Sequence, residues 1–267
     1  MKKFQLFLFI GVLALVSSCK EEGCTDPAAS NYNDEADKDC CCEYAEPDNF
    51  TLSFKAVDDQ GNTLNMNEET VDAGGRPIQF ELFLFYLSNI YLKSSTGDEV
   101  LVKDVALLDF EEGVPGSITA KIPEGEYTEM RVGFGLDSVY NNENPNDFAP
   151  GHPLSYAANT HWGWLKYRFQ MVEGRLDTDQ NGSLEKTFAY HTGLDSLYVE
   201  RSFPVNLDFS QGDLSLELDL NWNAFFTYGA QPIDPAVSNS THMANEYEIL
   251  LGQRFANNFA SSAVLVD

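Results

Sequence analysis

Residues 214–220 read LSLELDL, with a leucine at every second position. A period of two is typical of a strand that buries one face and exposes the other. Further short apolar runs lie at residues 50–57, 78–84, 87–93, 100–109, 117–122, 127–134, 165–173, 187–193 and 197–208, and most of them end at Gly, Pro, Asn or Asp. About ten short strands without regular strand–helix alternation favour a sandwich or a barrel. We predict an all-β domain, an antiparallel β-sandwich with Greek-key-like connections.

One segment near the C-terminus has the period of a helix instead. Between residues 243 and 259, apolar side chains recur three and four positions apart. This spacing gives an amphipathic helix one core-facing stripe. We therefore predict a single C-terminal helix beside the strands.

The charge balance limits the classes of partner. The chain has 267 residues, with 16 Lys and Arg against 42 Asp and Glu, and a formal net charge of −26. Such a surface repels nucleic-acid phosphates and anionic lipid headgroups, so we expect no nucleic-acid partner. Cations remain plausible ligands. The apolar fraction of 43% is sufficient for a folded core.

The N-terminus indicates export. Lys2 and Lys3 precede an apolar run at residues 4–16, and small residues lead to Cys19. Residues 1–18 are typical of a signal peptide, and the run is too short to span a membrane. The residues before Cys19 resemble a bacterial lipobox, which predicts lipidation of Cys19 and a membrane partner through that anchor. We expect an outer-membrane lipoprotein in the cell envelope of a Gram-negative bacterium, facing the periplasm or the surface.

All five cysteines lie within residues 19–42. Apart from the lipidation candidate Cys19, the disulfide candidates expected in an oxidising compartment are Cys24, Cys40, Cys41 and Cys42. Four cysteines permit three different pairings. Adjacent cysteines bridge only with strain, so Cys24 is expected to pair with one of the other three. A thiolate metal site is less favoured because consecutive cysteines lack the chelating spacing. Residues 19–46 are predicted to be a stapled spacer, followed by one domain at 47–267.

Motifs of the common enzyme classes are absent from the sequence. It contains no GxSxG, no HExxH, no GxxxxGKS and no complete GxGxxG. Hydrolase, zinc-protease and nucleotide-binding functions therefore lack their usual support. We predict that the protein is not an enzyme.

The segment 177–185 reads DTDQNGSLE and resembles part of a calcium-binding loop. It supplies oxygen ligands at Asp177, Asp179 and Asn181, a glycine at the sixth position and Glu185 at the ninth. The bidentate glutamate of the twelfth position is missing. A calcium-binding turn is one hypothesis, and a polar hairpin loop is the other.

Histidines carry the main metal hypothesis. The candidate ligands and their aromatic neighbours are His152, His161, His191, His242, Trp162 and Trp164. Imidazole nitrogen suits copper, although any one histidine taken alone is more often an ordinary core or surface residue. His191 is the strongest candidate and His152 the next. On a strand His161 and Trp162 point to opposite sides, so only one of them is expected to face a site.

Several separated motifs resemble the MbnP-like copper-binding family. They are YLSNI at 86–90, HWGWLKYRF at 161–169, EG at 173–174 and FAYHTG at 188–193. The resemblance implies a β-sandwich that holds one copper ion through histidines. In some members it also implies a tryptophan oxidised to kynurenine by a partner di-haem cytochrome-type protein. Trp162 and Trp164 match the tryptophans of that pattern.

Together these features predict an exported lipoprotein that binds copper for sequestration or handover. The alternative is a calcium-stabilised surface module that binds a glycan or a protein. In that case Trp162 and Trp164 would be core or stacking aromatics.

Overall fold

The computed structural model describes residues 21–27, 29–44, 46–111, 116–227 and 232–266. The predicted signal peptide and the lipidation candidate Cys19 lie outside these ranges. Among the described residues, no helix is both long enough and apolar enough to cross a membrane.

Contacts divide the chain into two units, Met1–Glu46 and Pro47–Asp267. In the first unit, strands β1 (Glu22–Gly23) and β2 (Lys38–Asp39) form a parallel two-stranded sheet.

The cysteines of the first unit form disulfides. Cys24 pairs with Cys42, and their Cα atoms are 4.7 Å apart. The adjacent Cys40 and Cys41, whose partners the sequence left open, are joined to each other. Because Cys24 and Cys42 are oxidised together, their sulfurs are not available as thiolate ligands for a metal.

The second unit contains strands of very different lengths. They are β3 (Asp48–Val57), β4 (Glu69–Val71), β5 (Pro77–Ser94), β6 (Glu99–Asp109), β7 (Ile118–Ile122), β8 (Glu126–Phe134), β9 (His161–Trp162), β10 (Lys166–Leu176), β11 (Lys186–Gly193), β12 (Val199–Asp208), β13 (Leu214–Asn221), β14 (Ser240–Thr241) and β15 (Ala263–Val266). The α-helices are α1 (Ser138–Asn141), α2 (Ala224–Thr227) and α3 (Glu246–Ser262). Single 3-10 turns lie at Pro145–Asp147, Tyr156–Ala158, Asp195–Leu197 and Phe209–Gln211.

These strands form two sheets. The nine-stranded sheet has the order β12-β8-β5-β10-β11-β14, with β4 and β6 on β5 and β9 on β10. The four-stranded sheet has the order β15-β13-β3-β7. The predicted all-β sandwich is confirmed, but it is mixed: β13 lies parallel to β3, and β14 lies parallel to β11. Neither pair is joined by a hairpin, so antiparallel direction is not imposed.

Aromatic rings dominate the core of the sandwich. Phe83 of β5 stacks on Phe110 at a centroid distance of 4.5 Å, and Phe85 meets Phe259 of α3 at 4.9 Å. Helix α3 begins three residues later than the predicted start at 243, because the side chain of Asn245 caps it by accepting from the backbone N–H of Glu248.

A second apolar cluster covers the outer face of the nine-stranded sheet. Phe85 belongs to the sandwich core, whereas the next residue, Tyr86, packs in the second cluster with Tyr167 and Phe169. Successive side chains of a strand point to opposite faces, so this cluster lies on the face away from the four-stranded sheet. On β11, Tyr190 lies in the core, and the same alternation directs His191 to the outer face.

Candidate metal centre

Strand register brings His191 beside a carboxylate. In the antiparallel pair of β10 and β11, Met171 lies opposite His191, and Glu173 lies opposite Ala189. Glu173 and His191 are therefore diagonal neighbours on one face. Nε2 of His191 lies 2.7 Å from Oε1 of Glu173.

The His191 ring is almost completely enclosed. The residue is 5% exposed, and its Nδ1 is buried without a hydrogen-bond partner among the described residues. Buried polar atoms normally have partners, so such an atom calls for an explanation. Burial lowers the pKa of His191 to about 4, although the Glu173 carboxylate acts in the opposite direction. The imidazole is therefore neutral at pH 7, which is the form that binds metals.

His242 reaches the same place through the short strand β14. Ser240 pairs with Ala189 and Thr241 with Tyr190, so the following residues, His242 and His191, come side by side. Their ring centroids are 5.0 Å apart, with the rings nearly perpendicular. The two imidazoles lie 51 positions apart in sequence, and the parallel pairing of β14 with β11 is what joins them.

Trp162 completes a three-ring cluster with these histidines. Its centroid is 5.3 Å from that of His191 and 5.8 Å from that of His242, with an interplanar angle of 19° to the latter. Trp164 stacks on Trp162 at 4.8 Å and is 64% exposed. The rings of His191, Trp162 and Trp164 therefore form an unbroken series of contacts from the buried imidazole to the surface.

Arg168 lies against the same indole. Its guanidinium carbon is 4.4 Å from the Trp162 ring centroid, a cation–π contact. Its Nε donates to the carbonyl of Thr160 at 3.2 Å, and a terminal nitrogen donates to the carbonyl of Asn159. Burial lowers the pKa of this guanidinium. Arg168 thus fixes the loop before β9 and holds Trp162 in place.

The other two histidines make different contacts. His152 stacks on Phe148 at 4.2 Å, and its Nδ1 accepts from the backbone N–H of Leu154 at 3.1 Å. His161 meets Tyr167 edge-on at 5.0 Å, because it points away from Trp162 as strand alternation requires. The structure does not bring either ring to the three-ring cluster. His152, ranked second from sequence, has its Nδ1 engaged in a turn.

Glu173 and Arg168 are the site residues that sequence reasoning missed. Glu173 stood in the quoted EG motif without a role, while its neighbour Gly174 has a clear packing function. A Cβ at Gly174 would lie 2.1 Å from the carbonyl oxygen of Gln79, so only glycine allows β5 to approach this closely. The motif therefore combines a close approach of strands with a carboxylate beside His191.

The YLSNI motif positions the loops that precede β9. The Tyr86 hydroxyl is 2.6 Å from both the carbonyl oxygen of Pro153 and Oγ1 of Thr160. Asn89 adopts a left-handed conformation with φ 52°, and its amide donates to Asp137 at 2.9 Å. These contacts anchor the segment that leads to Trp162, so they support the site without touching it.

The loop between β10 and β11 brings the three carboxylate candidates for calcium together. One oxygen from each of Asp177, Asp179 and Glu185 lies within 4.8 Å of the others. The backbone N–H of Asn181, the fourth candidate, donates to the Asp177 carboxylate at 3.2 Å.

Asp177 also has a role within the loop itself. It is 1% exposed, and its carboxylate accepts from the backbone N–H groups of Asp179, Asn181 and Gly182. Desolvation opposes ionisation, but these donors hold the pKa of Asp177 below its ordinary value. The carboxylate therefore stabilises the hairpin without an ion, which agrees with the polar-loop hypothesis and leaves calcium to be tested.

A comparison with family models agrees with the motif resemblance. The MbnP family model matches residues 47–244, a range that contains Trp162, His191 and His242. Among solved structures, the chain is similar to MbnP from Methylosinus trichosporium, with 18% sequence identity and a TM-score of 0.49. That match covers 71% of this chain and 81% of the other. No curated protein matches the sequence.

Proposed function

The chain belongs to the MbnP family, and from that premise we propose that it binds one copper ion in the cell envelope. The ion would be cargo, held for sequestration or handover, and not a catalyst. The observation that carries the proposal is Nδ1 of His191, buried without a partner among the described residues and lying in a ring that touches His242 and Trp162.

The donor set of this cluster fits copper. Two imidazoles from different strands meet there, and imidazole is a good ligand for copper ions. Every cysteine of the chain lies within residues 19–42, so the domain at 47–267 offers copper no thiolate. A histidine site can hold copper in an oxidising compartment without losing its ligands to disulfide formation.

The two tryptophans would have different roles. Trp162 contacts both imidazoles and would form one wall of the copper site. Trp164 is the exposed member of the stack. A di-haem partner that oxidises a tryptophan would first meet Trp164, and Trp162 is the candidate for the modified residue because it adjoins both candidate ligands. Mass measurement of the peptide that contains both residues, after expression in the native host, tests this assignment.

Copper titration of the purified protein tests the proposal. We expect about one equivalent to bind, and we expect His191→Ala and His242→Ala to lose most of the affinity. His152→Ala is the matched control, since that ring stacks on Phe148 elsewhere. Failure of the wild-type protein to bind copper would overturn the proposal, as would an equal loss in His152→Ala.

Family membership suggests a periplasmic or secreted protein, and we propose that a lipid on Cys19 holds it at the outer membrane. In protein whose signal peptide has been removed, we expect Cys19→Ala to leave the folded domain in the soluble fraction, because no acyl chain then anchors it. Retention of Cys19→Ala in salt-washed membranes would contradict the anchor.

A calcium-stabilised binding module is the second candidate, favoured by the clustered oxygens of Asp177, Asp179 and Glu185. Metal analysis of the purified protein separates the two functions. Copper near one equivalent supports the first, and calcium alone supports the second.

A further inference from the structure

We propose that Glu173 is a positioning residue that holds His191 in its Nε2–H tautomer and thereby presents Nδ1 as the metal-binding atom. The inference rests on the proposed copper function, and it adds the residue that selects the ligand atom. Glu173 belongs to β10 and His191 to β11.

The hydrogen bond between the two side chains selects the tautomer. A carboxylate accepts hydrogen bonds and has none to donate, so the nitrogen 2.7 Å from Oε1 of Glu173 must carry the hydrogen. The lone pair of the neutral ring then lies on Nδ1. In the opposite tautomer, the lone pair of Nε2 would face a carboxylate oxygen, and the Nδ1–H would be buried without an acceptor among the described residues.

The same arrangement prepares the ring for a metal ion. A histidine that binds a metal through one nitrogen generally donates its other N–H to a carboxylate or carbonyl, which orients the ring and raises its basicity. His191 already has the hydrogen bond to a carboxylate, and its other nitrogen is buried with a free lone pair. The partner imidazole of His242, 5.0 Å away between centroids, supplies a second ligand close by.

The backbone around Glu173 is shaped to hold the carboxylate in this position. The pairing of β10 with β5 shifts register between Glu173 and Gly174, and such irregularities re-aim the side chains beside them. Gly174 makes the shift possible, since a Cβ there would lie 2.1 Å from the carbonyl oxygen of Gln79. The two residues of the EG motif therefore act together. The glycine permits the close contact with β5, and the resulting register shift directs the glutamate side chain towards His191.

The tautomer can be read without any copper. Nitrogen-15 NMR of the imidazole rings in the metal-free protein distinguishes a protonated nitrogen from one with a lone pair. We expect Nε2–H as the dominant form of His191 in the wild-type protein, and a mixture of tautomers in Glu173→Ala. Glu81→Ala is the matched control, because Glu81 is an exposed carboxylate on neighbouring β5 that pairs with Arg175 at 2.7 Å. This control should leave the His191 spectrum unchanged.

Copper affinity supplies the second readout. Loss of a residue that orients a metal ligand commonly lowers affinity about 10–100-fold, so we expect a loss of that size in Glu173→Ala, smaller than in His191→Ala. Glu173→Gln keeps the shape of the side chain and a neutral acceptor oxygen, and it should lose less affinity than Glu173→Ala. It also provides the test if the alanine variant does not fold.

The outcomes distinguish this inference from the proposed function. A wild-type His191 with its hydrogen on Nδ1 would overturn the positioning role, even if His191→Ala abolished copper binding. Wild-type copper affinity in both Glu173 variants would overturn it as well. Absence of copper binding in the wild-type protein, together with a tautomer that depends on Glu173, would instead overturn the copper function and leave the effect of Glu173 on the ring established.

Discussion

On the inner face of the nine-stranded sheet, Phe83 stacks on Phe110 and meets the ring of Phe259. On the outer face, His191 is also buried, yet its Nδ1 has no hydrogen-bond partner among the described residues. Both faces are produced by the same period-two pattern along the strands. The inner face buries apolar rings that pack against one another, whereas the outer face buries an imidazole that can bind a ligand.

Truncation of the inner face should have the largest effect on folding. Phe83→Ala removes a ring that contacts Phe85, Phe110 and Phe259, so we expect the free energy of unfolding to fall by about 3–5 kcal/mol. Urea denaturation measures the change. Val237→Ala, at a side chain that is 77% exposed, is the control and should shift it by less than about 0.5 kcal/mol. Comparable losses in the two variants would mean that this core is not packed as described.

The outer face should show a pH dependence that the inner face lacks. The folded-state pKa of His191, about 4, is below the ordinary value of about 6.5 expected in the unfolded chain. The unfolded chain therefore binds a proton first, so stability falls as pH drops from about 6.5 towards 4. We expect this residue to account for about 1–2 kcal/mol of lost stability at pH 5 in the metal-free protein.

A variant isolates that contribution. His191→Gln cannot titrate, so its urea midpoint should change less between pH 7 and pH 5 than the wild-type midpoint does. The same pH sensitivity in both proteins would show that His191 is not the group responsible.

The smallest effect is expected at the loop that joins β10 to β11. Asp179 is exposed and is part of the oxygen cluster, whereas Asp177 already accepts three backbone N–H groups. Asp177→Asn should therefore lower the melting temperature with or without calcium. Asp179→Asn should lower it only when calcium is present, if the loop binds that ion.

Calorimetry in calcium and in chelator makes this comparison, with Asp98→Asn in the turn between β5 and β6 as the control. A melting temperature of Asp179→Asn that follows the wild type in both buffers would reduce the segment to an ordinary polar hairpin.

Sequence alternation predicted most strands but divided β5 into two at residues 85–86. The structure has one strand, Pro77–Ser94, because Phe85 faces the sandwich core while Tyr86 faces the second apolar cluster. A strand buried on both faces has no alternation to detect. The two-residue strand β9 was missed, since a tight turn at residues 163–165 separates it from β10 and interrupts the aromatic motif.

The site was predictable in its residue types and not in its geometry. Histidine is rare in this chain, so His191 and His242 could be singled out by type alone. With 42 acidic residues, composition could not single out Glu173, which stood in the EG motif without a role. Its role depends on cross-strand register, and the meeting of the two histidines depends on the parallel pairing of β14 with β11. Neither pairing is encoded by a local pattern.

The central claim is that the outer face of β10 and β11 holds copper through His191 and His242. Anomalous diffraction at the copper edge, from crystals of the copper-loaded protein, tests it most directly. We predict one strong peak within bonding distance of His191 Nδ1 and of the His242 ring, beside Trp162. A peak at His152, at His161 or among the cysteines of residues 19–42, with none at His191, would contradict the claim.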